Sequence, residues 1–176
     1  MHRTRDGVLV VCHDETVDRT SDGTGRIPEL TLAQLRRWDF GAGTRIPTLA
    51  EVLDFAAGTQ LRVNIELKNP LNRYPGMEQE VEATVLTSRL AGAARERLIY
   101  SSFNHRSLLR LIDLGTEVPV GVLYVEPLVR PWLYASGFGA RALHPMGTTV
   151  LPEEVAQAHA TGLRVHVWTL DTPDEA

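Results

Sequence analysis

Short apolar runs alternate with amphipathic stretches along most of the chain. Arg5-Asp6-Gly7-Val8 reads as a hairpin turn leading into an apolar strand over residues 8–12. Asp22-Gly23-Thr24-Gly25 closes a polar loop, and Thr31 is placed to cap a short helix carrying Leu32, Leu35 and Trp38 on one side. Pro47-Thr48 introduces a second helix, Leu49–Ala57, that ends near Gly58. Residues 61–67 predict a strand, 77–90 a helix and Leu98–Ser102 another strand. Asn104 then caps a helix over 106–114 that stops at Gly115. Residues 118–124 form a strand interrupted at its start by Pro119, and Trp132 and Tyr134 fall in a loop or irregular helix. A short strand at 139–143, a helix at Pro152–Ala160 ended by Gly162, and a strand at 163–169 follow. Asp171-Thr172-Pro173-Asp174-Glu175 reads as the opening turn of one more helix.

Strand and helix alternating across short connections predict a parallel sheet covered by helices. The strands are two-faced. Asn64, Glu66 and Lys68 share one side, with Val63, Ile65 and Leu67 on the other, and His166 and Trp168 oppose Val165 and Val167. A doubly wound sheet buries both faces in apolar residues, whereas a barrel packs its outer face on helices and places polar groups inward at the mouth. The pattern therefore favours an α/β TIM-type (β/α)8 barrel. Five such strands cannot close one, so over residues 1–176 either barrel elements are missing or the chain is an open partial sheet, and the unfinished helix at residues 171–175 favours missing elements.

Composition narrows the function classes. The chain has 176 residues, 43% hydrophobic and 23% charged, with 18 basic against 22 acidic residues and a net charge of −4. No basic block supports a nucleic-acid partner, and no apolar run reaches the roughly 20 residues of a transmembrane segment. Cys12 stands alone, so no internal disulfide forms. A cytoplasmic location is expected, with a secreted or periplasmic one left open. Lys68 is the only lysine among the 18 basic residues. A compact ammonium and a planar guanidinium are not interchangeable in a tight site, so position 68 points to a need for the ammonium, with chance survival of one lysine as the plainer alternative.

Candidate chemistry gathers where strands end: His13-Asp14, Glu66 and Lys68, Ser102, Tyr124, His144 and Trp168. Barrel active sites lie at the carboxyl ends of the strands. Glu66 and Lys68 point the same way, and each needs a partner, a metal or an anionic substrate; a structural ion pair is the plainer alternative. His13 has the chemistry of a proton shuttle or is structural, and Asp14 orients it or caps the next turn. His144 serves a ligand or the fold. His105 and His159 read as helix surface residues, and His2 carries no assignment.

The run Thr4 to Asp14 (T-R-D-G-V-L-V-V-C-H-D), continuing through Glu15-Thr16-Val17-Asp18-Arg19-Thr20 to Gly23-Thr24-Gly25, resembles the glycerophosphodiester phosphodiesterase family. Ile46-Pro47-Thr48-Leu49-Ala50-Glu51-Val52-Leu53 and Asn64-Ile65-Glu66-Leu67-Lys68 match two further motifs in the family's order. Ser101-Ser102-Phe103-Asn104 and Val167-Trp168-Thr169 look like its later strands. The resemblance implies a (β/α)8 barrel, a divalent cation (magnesium or calcium), and hydrolysis of a small-molecule glycerophosphodiester to glycerol 3-phosphate and an alcohol in lipid and glycerol metabolism. By the same resemblance, His13 corresponds to one of two acid/base histidines, Glu66 to one of three carboxylate metal ligands and Lys68 to a phosphate-contacting lysine. Trp168 lines the substrate pocket, and Asp14 is expected beside the substrate. Residues 15–44 look like the family's small insertion at the barrel mouth.

The family's His-Arg-Gly strand and its Glu-x-Asp pair have no match in the sequence, so the resemblance implies an incomplete (β/α)8 barrel lacking the first two strands and the last, and the chain alone is expected to show little activity. With a two-residue turn at Asp6-Gly7, Arg5 faces Val8, Thr4 faces Leu9 and Met1 faces Cys12. A phospholipase-type lyase on a related barrel and an inactive homologue or binding module remain as alternatives. The alcohol moiety and the oligomeric state are not legible.

Overall fold

At the start of the chain, β1 (His2–Arg3) and β2 (Leu9–Val10) pair antiparallel, His2 with Val10 and Arg3 with Leu9. The loop thus holds three residues, Arg5, Asp6 and Gly7, and the register is shifted by one from the expected pairing. Thr4 N–H donates to Val8 O at 2.9 Å and Gly7 N–H to Thr4 O at 3.0 Å. Gly7 has φ +84°. Three-residue hairpin loops end on a left-handed residue, which glycine adopts without a steric cost; that preference outweighs the two-residue turn.

The computed structural model describes residues 1–69 and 74–171. The chain divides into two compact units, Met1–Val63 with Leu71–Arg97, and Asn64–Pro70 with Leu98–Ala176. The predicted helix opening beyond Asp171 lies outside the described residues.

In the first unit, α1 (Leu32–Leu35) begins at Thr31, whose hydroxyl and Gln34 form a reciprocal capping box. Helix α2 (Leu49–Ala57) starts the same way, with Thr48 and Glu51. Val10, Val17, Ile27, Leu35 and Ile46 are buried together, with Val8, Cys12, Leu30, Leu32, Trp38 and Phe40 packed on them. The segment 15–44 therefore packs on the hairpin residues Val8, Val10 and Cys12 and on Ile46. Gly23 is required there, since a Cβ would overlap the Trp38 indole. Two further helices are α3 (Met77–Thr87) and α4 (Ala94–Arg97). The α3 helix stops before its predicted end because Ser88 Oγ donates to Val85 O at 2.7 Å and accepts from Leu90 N–H at 3.2 Å. That local bonding competes with the helical ladder.

The second unit is built on a sheet of order β3-β4-β5-β6-β7, formed by Val63–Glu66, Leu98–Ser102, Val120–Tyr124, Ala142–Pro145 and Arg164–Val165. Strands β4 to β7 pair parallel. Between them run α5 (His105–Asp113), α6 (Pro131–Gly137) and α7 (Pro152–Ala160). Trp132 and Tyr134 thus sit in a regular helix, opened by Pro131 at its first position. Gly139, placed by the pattern at the start of a strand, instead finishes α6 with φ +92° and an N–H bond to Ser136 O at 3.1 Å. Strand β6 accordingly begins three residues later.

Pairing fixes the two faces of the sheet. Leu67 N–H donates to Ser101 O at 2.8 Å, which sets Glu66 beside Ser101. Ser101 pairs with Gly121, Gly121 with Ala142, and Leu123 with His144. One face therefore carries Glu66, Lys68, Ser101, Phe103, Gly121, His144, His166 and Trp168. The other presents Ile65, Leu67, Tyr100, Val120, Val122 and Leu143, all buried. Phe103 and Trp168, which follow β4 and β7, meet edge to face with ring centroids 5.7 Å apart. In a flat sheet two intervening strands would separate them by about 14 Å, so the sheet curls toward its polar face.

Candidate active site

In the first unit, His13 stands just past β2 with an exposed imidazole. Its Nδ1–H donates to Asp14 Oδ1 at 2.6 Å. Arg19 holds the same carboxylate with two bonds, Nε to Oδ2 at 2.6 Å and Nη2 to Oδ1 at 3.1 Å. The Arg19 guanidinium, followed by His13, keeps the Asp14 carboxyl well below the usual carboxylate range. Asp14 is thus a fixed anion that orients His13 and selects its Nδ1–H tautomer. Behind it, buried His2 donates Nε2–H to His13 O at 3.3 Å. An open cleft in this unit is lined by Arg19, Thr20, Ser21, Asp22, Asp39 and Gly41.

In the second unit, the Lys68 ammonium lies 2.9 Å from Glu66 Oε1, both side chains mostly buried. Spacing of two along one strand puts the two charges on the same face, and each offsets the other's desolvation. Beside Glu66, Ser101 Oγ is fully buried and has no hydrogen-bond partner among the described residues. His144, at the end of β6, is 3% exposed. Its Nε2 lies 3.0 Å from His166 Nδ1. Burial first, and His166 second, push the His144 pKa down to about 4. The Trp168 Nε1–H donates to His144 O at 2.8 Å.

Two candidates fall on the wrong face. Ser102 Oγ donates to Leu67 O at 2.8 Å and accepts from Asn104 N–H at 3.0 Å, and Asn69 Nδ2 donates to Ser107 Oγ at 2.8 Å. These bonds tie strand ends to α5. Tyr124 is buried on the same apolar side, with its phenol pushed up to about 12 by burial. His105 is also not a plain surface residue. It donates Nε2–H to Leu123 O at 2.7 Å and accepts from the Tyr134 hydroxyl at 2.9 Å, joining α5, β5 and α6. No pattern in the sequence names these partners.

Glu66 supplies one hard oxygen donor of the kind that suits magnesium or calcium. Among the described residues, no group of three or more His, Cys, Asp or Glu side chains could hold a metal ion. The described residues therefore offer no full coordination set.

The model of the glycerophosphoryl diester phosphodiesterase family matches residues 1–176. The chain belongs to this family. A glycerophosphodiester phosphodiesterase of Caldanaerobacter subterraneus subsp. tengcongensis is 37% identical, covering 98% of this chain and 72% of its own length. A second, from Bacillus altitudinis, is 32% identical over 96% of this chain and 71% of its own. The structure of an Oleispira antarctica phosphodiesterase in complex with the product sn-glycerol-3-phosphate superposes with a TM-score of 0.81. It is 24% identical and aligns over 98% of this chain and 72% of that one. Members of the family are hydrolases that fold as TIM-type barrels and generally depend on a divalent cation; the curled parallel sheet fits an incomplete barrel of that type. Among the described residues, no helix is long and apolar enough to cross a membrane.

Proposed function

We propose that this chain carries phosphodiester hydrolysis of glycerophosphodiesters, releasing glycerol 3-phosphate and an alcohol, with His13, Glu66 and Lys68 as its working groups. The observation that carries the reading is the Glu66–Lys68 pair at 2.9 Å on the polar face of the parallel sheet. Phosphoryl transfer is governed by positioning and charge stabilisation, so a carboxylate and an ammonium aimed the same way suit it. A phosphate anion competes with Glu66 for the Lys68 ammonium and draws it onto the phosphoryl oxygens. Glu66 would then hold a magnesium or calcium ion as one of its oxygen ligands. Such an ion, when bound, neutralises the phosphate and acidifies a coordinated hydroxyl.

His13 moves the proton. With Nδ1–H engaged by Asp14, its Nε2 is the nitrogen that takes a proton from the nucleophile or returns one to the leaving alcohol. Asp14, whose oxygens engage His13 and Arg19, orients His13 beside the substrate. Trp168, edge-on to Phe103, offers an apolar wall for the glycerol or alcohol moiety.

The test is product analysis of the intact protein with glycerophosphocholine. Stoichiometric glycerol 3-phosphate and choline support the reading. Accumulation of a cyclic phosphate assigns the lyase reaction instead, and no turnover with magnesium or calcium assigns an inactive homologue.

A further inference from the structure

His144 is nearly buried on the polar face of the sheet, yet no step above uses it. Its ring crosses from β6 to β5 and lies over Gly121, where any Cβ would overlap the imidazole. Gly121 has an extended neighbour on each side in the ladder and needs no left-handed backbone, so the missing side chain serves the histidine. From that seat, the His144 side chain bonds His166 at 3.0 Å, with the two rings 4.8 Å apart. The carbonyl of the same residue accepts the Trp168 indole N–H at 2.8 Å. Strand β7 is two residues long, Arg164 and Val165, and its pairing to β6 continues through His166 N–H to Leu143 O at 2.9 Å, Trp168 N–H to Pro145 O at 3.1 Å and Gly147 N–H to Trp168 O at 2.7 Å. The main chain of this segment is thus fixed by the sheet, while its side chains are set by His144, whose ring meets His166 and whose carbonyl holds the indole N–H. With its pKa near 4, His144 is neutral at pH 7, so one ring donates N–H and the other accepts.

We propose that His144, seated in the gap left by Gly121, is a positioning residue that sets the Trp168 indole for binding the glycerophosphodiester. The inference rests on the reading of Trp168 as part of the substrate pocket. Moving the imidazole frees the His166 ring, two residues before Trp168 on the same face, and with it the setting of the indole side chain. Ground-state binding suffers before the chemistry does, because neither His144 nor His166 exchanges a proton with substrate.

The experiment measures kcat and KM for glycerophosphocholine with the intact protein, together with Trp168 emission in a Trp38→Phe, Trp132→Phe background. His144→Ala is expected to raise KM about tenfold with kcat within about twofold, and to shift the indole emission. Gly121→Ala, which displaces the ring without touching it chemically, is expected to give the same two changes. The double variant should be no worse than His144→Ala, because the ring to be displaced is gone. His144→Gln, which keeps a donor and an acceptor for His166, should recover most of the KM and guards against a variant that fails to fold. An unchanged KM and emission in His144→Ala, with KM raised in Trp168→Ala, overturns the positioning role and leaves the pocket reading intact. An unchanged KM in Trp168→Ala overturns the reading of Trp168 itself, and the proposal with it.

Discussion

Lowering the pH from 7 to 4 should weaken the second unit through His144 in particular. Burial and His166 bring its pKa from the ordinary 6.5 down to about 4 in the folded state. Between those values the unfolded chain binds a proton that the folded chain refuses. Stability from this group is therefore fully present above pH 6.5 and is lost as the pH falls toward 4. At 1.36 kcal/mol for each pKa unit, the drop from 6.5 to about 4 amounts to about 3 kcal/mol. The carboxylates held low by their partners, Asp6, Asp14, Asp18 and Glu51, lose their contribution only below their ordinary values of 3.8 and 4.5. The two windows barely overlap. The assay is urea unfolding of wild type and His144→Gln at intervals from pH 7 to 4.5, with the imidazole titration followed by NMR. Wild type should lose about 2 kcal/mol more than His144→Gln across that range, which stops short of the folded pKa. Parallel pH dependences, or a His144 resonance titrating near 6.5, would refute the reasoning.

Three other outcomes follow from particular contacts. Thr48→Ala removes the hydroxyl that accepts from Glu51 N–H at 3.2 Å, and should cost about 1 kcal/mol in thermal or denaturant unfolding. Arg19→Ala removes the largest cause of the low Asp14 pKa, so carbon NMR should show that carboxyl rising toward its ordinary value of 3.8; an unmoved titration contradicts the assigned cause. Removing divalent cations with a chelator should abolish hydrolysis and added magnesium or calcium restore it, while Glu66→Gln should raise the concentration needed; full activity in the chelator removes Glu66 from the metal.

Much of the fold was legible because local chemistry decides it. The Thr48 and Thr31 caps, the glycines after α5 and α7, and the β-branched runs mark the same elements in sequence and in space. The five sheet strands and the placement of Glu66 and Lys68 on one side follow from the period of two alone. The hairpin register was off by one, because both loop lengths suit the same residues and Gly7 decides between them through its own backbone. Ser102 and Tyr124 were grouped with the site for being polar at strand ends, although alternation turns both toward the helices. The His144–His166 contact was not readable at all. It depends on the register between β6 and β7 and on a missing Cβ one strand further away, and neither leaves a local trace. The roles of His105 and His2 were hidden for the same reason, since their partners are remote in sequence.

The most direct test of the account is the rate of glycerol 3-phosphate release by the intact protein when Lys68 is replaced. A compact ammonium that meets developing charge on the phosphoryl group predicts that Lys68→Met loses a factor of about 100 or more in kcat, and that Lys68→Arg fails to restore it. Turnover by Lys68→Met within about twofold of wild type would contradict the claim that this pair handles the phosphate.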